Sequence, residues 1–264
     1  MVAQVLGSLR QYQPTSVVVH DEGTTSGTDL TTGPKAAQVR NQATFAETWR
    51  DALATHLPAG SVPTPALLHR RQRQVLVIDA LTPQPDRDSG SLRLVNLMRL
   101  LIEEGAHVVF VPANRSADGT YTQDLQVLGV ECWHAPAMAR FPAWLREHGP
   151  RFDVAMVSRH YVAGEMLSLL RRHAPRAKLL FDTVDLHYLR ERRAAELTGD
   201  AAALRAAMRT REFELALIRD ADATLVVSGV ERELLAVDAP GADVRVLSNL
   251  HREAAPGPAW SQRD

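Results

Sequence analysis

From Arg73 onward the chain alternates short apolar runs with longer amphipathic stretches. Gln74-Val75-Leu76-Val77-Ile78-Asp79-Ala80, Val108-Val109-Phe110-Val111, Val154-Ala155-Met156-Val157, Leu179-Leu180-Phe181, Thr224-Leu225-Val226-Val227 and Val244-Arg245-Val246-Leu247 have strand length and are largely apolar at consecutive positions. A strand that is apolar on both faces is covered on both. These runs therefore predict an α/β fold, a doubly wound, mostly parallel Rossmann-like sheet with helices on each side. The intervening segments carry helical spacing. One runs from about Leu92 to Glu104, a second sets Met166, Leu167, Leu169 and Leu170 before an Ala174-Pro175 stop, and a third sets Leu204, Met208, Leu215 and Ile218 toward the core with interleaved Arg and Glu in solvent. Val130-Glu131-Cys132-Trp133 reads as a further short strand.

The first 57 residues have another character. Ser16-Val17-Val18-Val19-His20 predicts a short strand, Gly23, Gly27 and Gly33 punctuate a Thr-rich loop, and a helix follows with Phe45, Trp49 and Leu53 on one side. The piece is too small and glycine-rich to read as an independent domain. Pro58-Ala59-Gly60-Ser61-Val62-Pro63-Thr64-Pro65 favours an extended course, so residues 58–72 read as a linker. The expected division is 1–57 as an appendage, 58–72 as linker, 73–251 as the α/β domain, and 252–264 as a polar tail leading to another domain.

With 264 residues, 45% of them hydrophobic, the chain is long enough for one substantial core. A formal charge of -1 and only 5% aromatic residues supply neither a phosphate-tracking surface nor a row of stacking rings, which argues against nucleic acid as a partner. No apolar run approaches the roughly 20 residues of a membrane span and no signal core opens the chain, so a cytoplasmic location is the default expectation. Cys132 is the one cysteine. That excludes an internal disulfide and a thiolate-rich metal cluster, and the thiol reads as a packing group.

In a doubly wound sheet, ligands gather beyond the carboxyl ends of the strands, and the residues there are polar. After the first strand come Asp79, Pro83, Pro85, Asp86 and Asp88-Ser89-Gly90-Ser91. A helix start presents unsatisfied N–H groups and partial positive charge, so a small Ser-Gly-Ser turn there suits an anionic or hydroxyl-rich ligand. The plain alternative is that Ser89 or Ser91 caps the helix and Gly90 permits a positive φ. Ser158, Arg159 and His160 follow a middle strand, and Arg159 either binds an anion or pairs with a carboxylate. Asp182-Thr183-Val184-Asp185-Leu186-His187 combines hydroxyl-accepting carboxylates with an imidazole able to move protons near neutral pH, or else caps a helix. Ser228 and Glu231 have the spacing of a capping box. Asp86-Arg87-Asp88 has the Asp-x-Asp form of a metal-diphosphate motif, but a proline-rich loop after a first strand is the wrong setting, and no metal site is expected. Gly-x-Gly-x-x-Gly, the P-loop, Gly-x-Ser-x-Gly and His-Glu-x-x-His are all missing from the sequence.

As an ordered set, Val75–Asp79 with Pro83, Pro85, Asp88–Ser91 and Arg93, then Phe181–His187, Val226-Val227-Ser228 with Glu231, and Leu247-Ser248-Asn249-Leu250-His251 resembles the N-terminal domain of family 4, GT-B-fold bacterial glycosyltransferases. The resemblance spans roughly residues 73 to 251. It implies sugar transfer from a nucleotide-sugar donor to a glycan or lipid-linked acceptor, usually with retention, in a cleft between two Rossmann-like domains. The N-terminal one mainly binds acceptor. Carried over by position, His187 and Asp185 are the catalytic candidates, and which of the two acts stays open. Asp88, Ser89, Gly90, Ser91, Arg159, Asp182, Ser228 and Glu231 are the substrate-binding candidates. The family's second domain supplies the nucleotide-sugar pocket with two glutamates separated by seven residues, and this sequence has no such pair. The expectation is an acceptor-side half, without turnover by itself, needing a donor-binding domain in cis and binding no cofactor of its own. Peripheral membrane association of the complete protein is compatible with cell-surface polysaccharide assembly.

Residues Tyr12–Gly23, Gly27-Thr28-Asp29 and the Phe45/Trp49 helix resemble the C-terminal end of a family 2, GT-A-fold glycosyltransferase, which would point to His20 near a metal and donor. Two other readings keep the sheet. One is a non-catalytic α/β binding module, with receiver domains disfavoured because no strand-end lysine accompanies the acidic loop. The other is half of a GT-B-fold sugar-nucleotide epimerase.

Overall fold

A computed structural model describes residues 29–54, 56–57, 60 and 64–251. The strand expected at Ser16–His20, His20 itself and the tail 252–264 lie outside the described residues. The chain divides into two compact units, Met1–Pro63 and Thr64–Asp264.

In the first unit, α1 (Gly33–Thr48) begins with proline in its first turn and is followed by α2 (Arg50–Leu53). The single helix expected through Phe45, Trp49 and Leu53 is broken at Trp49, whose φ of -109° and ψ of 21° leave the helical region. Phe45 and Trp49 are 51% and 36% exposed, so the expected apolar side is largely uncovered within this unit.

The second unit opens on α3 (Pro65–Leu68), where Pro65 holds the first helical position and Thr64 Oγ1 accepts from Leu67 N (3.3 Å). That turn falls within the expected linker, of which residues 58–59 and 61–63 lie outside the described residues. His69 then stacks on His107 with ring centroids 3.5 Å apart. The elements that follow are β1 (Gln74–Asp79), α4 (Ser89–Glu103), β2 (His107–Pro112), α5 (Gly119–Leu128), β3 (Glu131–Cys132), α6 (Phe141–His148) and β4 (Val154–Ser158). After them come α7 (His160–His173), β5 (Lys178–Asp182), α8 (His187–Thr198), α9 (Ala201–Asp220), β6 (Ala223–Val226), α10 (Gly229–Asp238) and β7 (Val244–Val246).

The seven strands form one sheet in the order β3-β2-β1-β4-β5-β6-β7, every neighbouring pair parallel. The α/β, doubly wound Rossmann-like expectation holds. β1 and β2 are buried at all six positions. Alternate residues feed opposite faces, as a two-residue period requires. Val75, Val77, Val108, Phe110 and Met156 pack with Leu94 and Met98 of α4 and Leu125 of α5. Leu76, Ile78, Val109, Val157 and Phe181 pack on the other face, in a cluster with Trp144, Val162, Leu170, Ile218 and Leu235. Chain progress reverses direction between β1 and β4. That pair of strand ends is the topological switch point, where a doubly wound sheet opens a crevice.

Three expectations shift in detail. α4 starts at Ser89 rather than about Leu92, because Asp88 caps it and draws the Ser-Gly-Ser stretch into the first turn. Leu204 and Met208 of α9 are 37% and 41% exposed rather than core-facing, and the helix is buried at Ala207 and mainly in its second half, with Leu215 and Ile218. β3 pairs at two positions only. Burial pushes the Cys132 thiol up to about 12, which fits a packing group and not a thiolate nucleophile. No helix among the described residues is long and apolar enough to cross a membrane.

Candidate functional site

A cavity of about 210 Å³ lies beyond the ends of β1 and β4, bounded by the 79–84 loop, Asp88, Ser91, Arg159 and Tyr161. Its floor is an ion pair. Asp79, 4% exposed at the end of β1, takes Arg159 Nε at 2.8 Å and Ala80 N at 2.7 Å. Burial raises the Asp79 pKa, opposed by the Arg159 charge and by both hydrogen bonds, and nearby Asp182 adds to the rise. Of the two roles open to Arg159, the carboxylate partner is the one observed. Its guanidinium still borders the cavity.

Asp88 is the N-cap of α4. Its Oδ1 accepts from Ser91 N (2.8 Å) and its Oδ2 from Ser91 Oγ (2.7 Å). Burial works to raise the carboxyl, but the two Ser91 bonds outweigh it and hold it below the usual range. Cap and first turn thus replace the flexible turn expected from the sequence, and neither serine is the cap. Gly90 is helical rather than left-handed, so its value is closeness. A Cβ there would meet Val184 Cγ1 at 3.1 Å and Asp88 Oδ1 at 3.2 Å. Ser89 is exposed at the helix start.

The strand ends facing this helix are strained. Arg159, directly after β4, has φ 69°, and Val184, two residues after β5, has φ 65°. A β-branched residue in the left-handed region costs about 1–3 kcal/mol, and such strain is held where surrounding structure over-determines it, commonly at ligand sites.

Asp182 lies behind the cavity. It is 1% exposed and takes a two-pronged ion pair from Arg93 of α4, Nη1–Oδ2 2.7 Å and Nη2–Oδ1 3.0 Å, plus Ser158 Oγ at 3.3 Å. Arg93 Nε also donates to Leu247 O (3.1 Å), and Asn96 Nδ2 donates to Leu250 O (2.7 Å), so α4 ties down the segment after β7. With both oxygens occupied and 1% exposure, Asp182 braces the strand ends.

Asp185 and His187 stand together. Asp185 Oδ1 lies 3.5 Å from His187 Nδ1, and Arg190 spans both, with Nη1 2.7 Å from Asp185 Oδ2 and Nη2 2.8 Å from His187 Nε2. The His187 ring lies 4.5 Å from that of His160 and 6.5 Å from that of Tyr161, which borders the cavity. Burial, aided by the His187 charge, lowers the His160 pKa and favours its neutral form. Neither Asp182 nor Asp185 caps α8. That helix is capped by Glu214 of α9, 0% exposed, whose oxygens accept from His187 N (3.3 Å) and Tyr188 N (3.1 Å). Burial pushes Glu214 up to about 7 despite those two bonds.

Ser228 caps α10, accepting from Glu231 N at 3.2 Å, while Glu231 accepts from Val227 N (2.9 Å) and Leu186 N (3.4 Å). The pair does the work of a capping box and holds the β5–α8 loop. Neither residue borders the cavity. Three residues escaped the sequence reading in their roles: Arg93, Glu214 and Tyr161. The first two had a partial signal, a charged side chain in a helix whose buried positions include Leu94 and Met98 or Leu217 and Ile218, which implies a buried partner. Tyr161 had none. Among the described residues no group of acidic, histidine or cysteine side chains is arranged to hold a metal ion.

No protein-family profile matches this chain, and no curated protein matches it. Among solved structures, a sucrose-phosphate synthase from Thermosynechococcus elongatus aligns at 15% identity with a TM-score of 0.43, over 67% of this chain and 48% of that one. The chain thus spans about half the length of that neighbour. A likeness of this degree is not evidence of a shared activity.

Proposed function

We propose that the α/β unit is the acceptor-side half of a GT-B-type glycosyltransferase of the family 4 kind. The observation that carries this reading is the polar cavity at the switch point, walled by the capped start of α4 and by Arg159, with the Asp185–His187 pair one side chain away across Tyr161. Hydroxyl groups of a glycan match this lining of serine, carboxylate and guanidinium, and the α4 N-terminus faces the place where negative charge would arrive.

In this reading the acceptor hydroxyl loses its proton as its oxygen bonds the anomeric carbon on the face from which the nucleoside diphosphate departs, and the carbon–oxygen bond to that diphosphate breaks, releasing it with configuration retained. His187 is the proton acceptor, placed beside the Asp185 carboxylate and the Arg190 guanidinium. A second Rossmann-like domain with paired glutamates supplies the nucleotide pocket, and residues 1–57 correspond to the end of a family 2, GT-A-type transferase. Cell-surface polysaccharide assembly and retention of configuration belong to the same proposal.

The test has two arms. Titrated with methyl glycosides and oligosaccharides, the chain is expected to shift the amide signals of Ser91, Arg159 and Tyr161, while nucleoside diphosphates bind only weakly. In an enzyme carrying both domains, His187→Ala and Asp185→Asn are expected to lower turnover by about 10²–10⁴-fold with little change in melting temperature. Micromolar nucleotide binding by this chain alone, or normal turnover in both variants, would refute the assignment. Saccharide binding without any effect of the variants would instead favour a non-catalytic binding module.

A further inference from the structure

Two cavities share a wall. Beside the polar one runs a second, of about 410 Å³, between α4 and α5, lined mainly by apolar side chains that include Val95, Leu125, Val127 and Leu128. Pro83 borders both. The loop that carries Pro83 is braced from the far side. Gln84 Nε2 donates to Asp118 Oδ2 at the start of α5 (2.5 Å), and the Tyr121 hydroxyl donates to Asp86 Oδ1 (2.7 Å). The partition between a polar and an apolar compartment is thus a single proline on a loop held against a helix.

The volume falls in the range of small-molecule sites, about 300–1,000 Å³, and the lining has their character, apolar with a few polar groups at the edge. Here those groups are Arg99, Asp124 and Tyr121. Val127 is 64% exposed, so an occupant would remove apolar surface from water. A protein helix or a second copy of the chain would meet an open face. This cavity is instead bounded by α4, α5 and the braced loop, and its shared wall leads to the polar cavity.

We propose that the α4–α5 cavity takes the apolar aglycone of an amphiphilic acceptor whose hydroxylated head occupies the polar cavity across Pro83. The proposal rests on the acceptor-side reading above and adds the class of acceptor to it. The two compartments make a distinctive demand. A free sugar fills one of them, and an alkyl glycoside fills both.

The experiment uses methyl, butyl, hexyl and octyl glucosides and galactosides below their micellar concentrations, with 1-hexanol as a tail without a head. Binding to the isotope-labelled chain is followed at the Ser91, Arg159 and Tyr161 amides for the head and at the Val95 and Leu128 methyl groups for the tail. Affinity is expected to rise about fourfold per methylene that enters the cavity. Val127→Asp, at an exposed position that folding tolerates, is expected to flatten that rise while leaving the methyl glycosides unchanged. Leu128→Ala, which removes apolar lining without adding charge, is expected to weaken the octyl glycosides more than the methyl ones. Affinity independent of chain length, or a rise that both variants leave intact, overturns the proposal while the head signals still support the acceptor reading. Head signals silent toward every glycoside, with 1-hexanol still moving the tail signals, overturn the acceptor reading and the amphiphile with it. Tail signals that move with protein concentration alone mark a surface between copies and likewise overturn the proposal.

Discussion

Removing one member of the Arg93–Asp182 pair should damage the protein far more than removing both. Each side chain is 1% exposed, and the pair is held by two bonds at 2.7 and 3.0 Å. Arg93→Met leaves the Asp182 carboxylate with one weak hydroxyl donor, Ser158, and no countercharge, and Asp182→Leu leaves a guanidinium in the core. A buried charge deprived of its partner costs about 3–5 kcal/mol. For a unit of this size that corresponds to a fall of about 10 °C in melting temperature. In the Arg93→Met/Asp182→Leu variant no charge is stranded. The residual losses are the Leu247 carbonyl, which gives up its Nε–H donor, and the Ser158 hydroxyl, which gives up its acceptor, together about 1–3 kcal/mol. Urea unfolding of the four proteins in a double-mutant cycle gives the coupling directly. Losses that simply add, or single variants within about 1 kcal/mol of the parent, would refute the bracing role. A normally stable Asp182→Leu that fails to bind saccharides would return Asp182 to the binding site.

Glu214 should make stability depend on pH. Its folded pKa of about 7 lies above the ordinary glutamate value of 4.5, so the stabilising contribution is fully present below about pH 4.5 and is lost as pH rises to about 7, a total of about 3 kcal/mol. Glu214→Gln, which keeps one acceptor for the α8 N-terminus, should gain stability relative to the parent as pH rises across that window, measured by denaturant unfolding; a difference independent of pH would sink the idea. At the close approach of α4 to the β5–α8 loop, Gly90→Ala should gain little or lose stability, because its Cβ meets Val184 Cγ1 at 3.1 Å. In a Val184→Gly background, where that methyl is gone and the left-handed strain relieved, the same change should stabilise α4 by about 0.5–1 kcal/mol. Thermal melts of the four proteins decide it, and identical effects in both backgrounds would show that the contact is not limiting.

Strand runs such as Val75–Ile78 and Val108–Val111 state their own burial, because a residue pattern apolar at every position has only one stable setting, a sheet covered on both faces. The doubly wound class and the polarity of the strand ends follow from that local information. So does the presence of a helix start near Asp88, though not which residue caps it, because Asp, Ser and Gly all suit the position and the choice depends on which oxygen reaches Ser91 N. What linear reading could not supply are partners distant in the chain. Arg93 and Asp182 are 89 residues apart and Arg159 and Asp79 are 80 apart, and whether a strand-end charge meets a ligand or a countercharge depends on strand order, which brings β1 beside β4 and β5 beyond it. Glu214 reaches the start of α8 only because α9 folds back against it, and the left-handed Val184 meets Gly90, 94 residues earlier, only in the folded chain. The sequence by itself determined the sheet, its two covered faces and the edge at which polar residues collect, since these depend on periodicity along the chain. The tertiary structure alone decided which of those polar residues brace the crevice and which remain to face a ligand, since that depends on pairing across it.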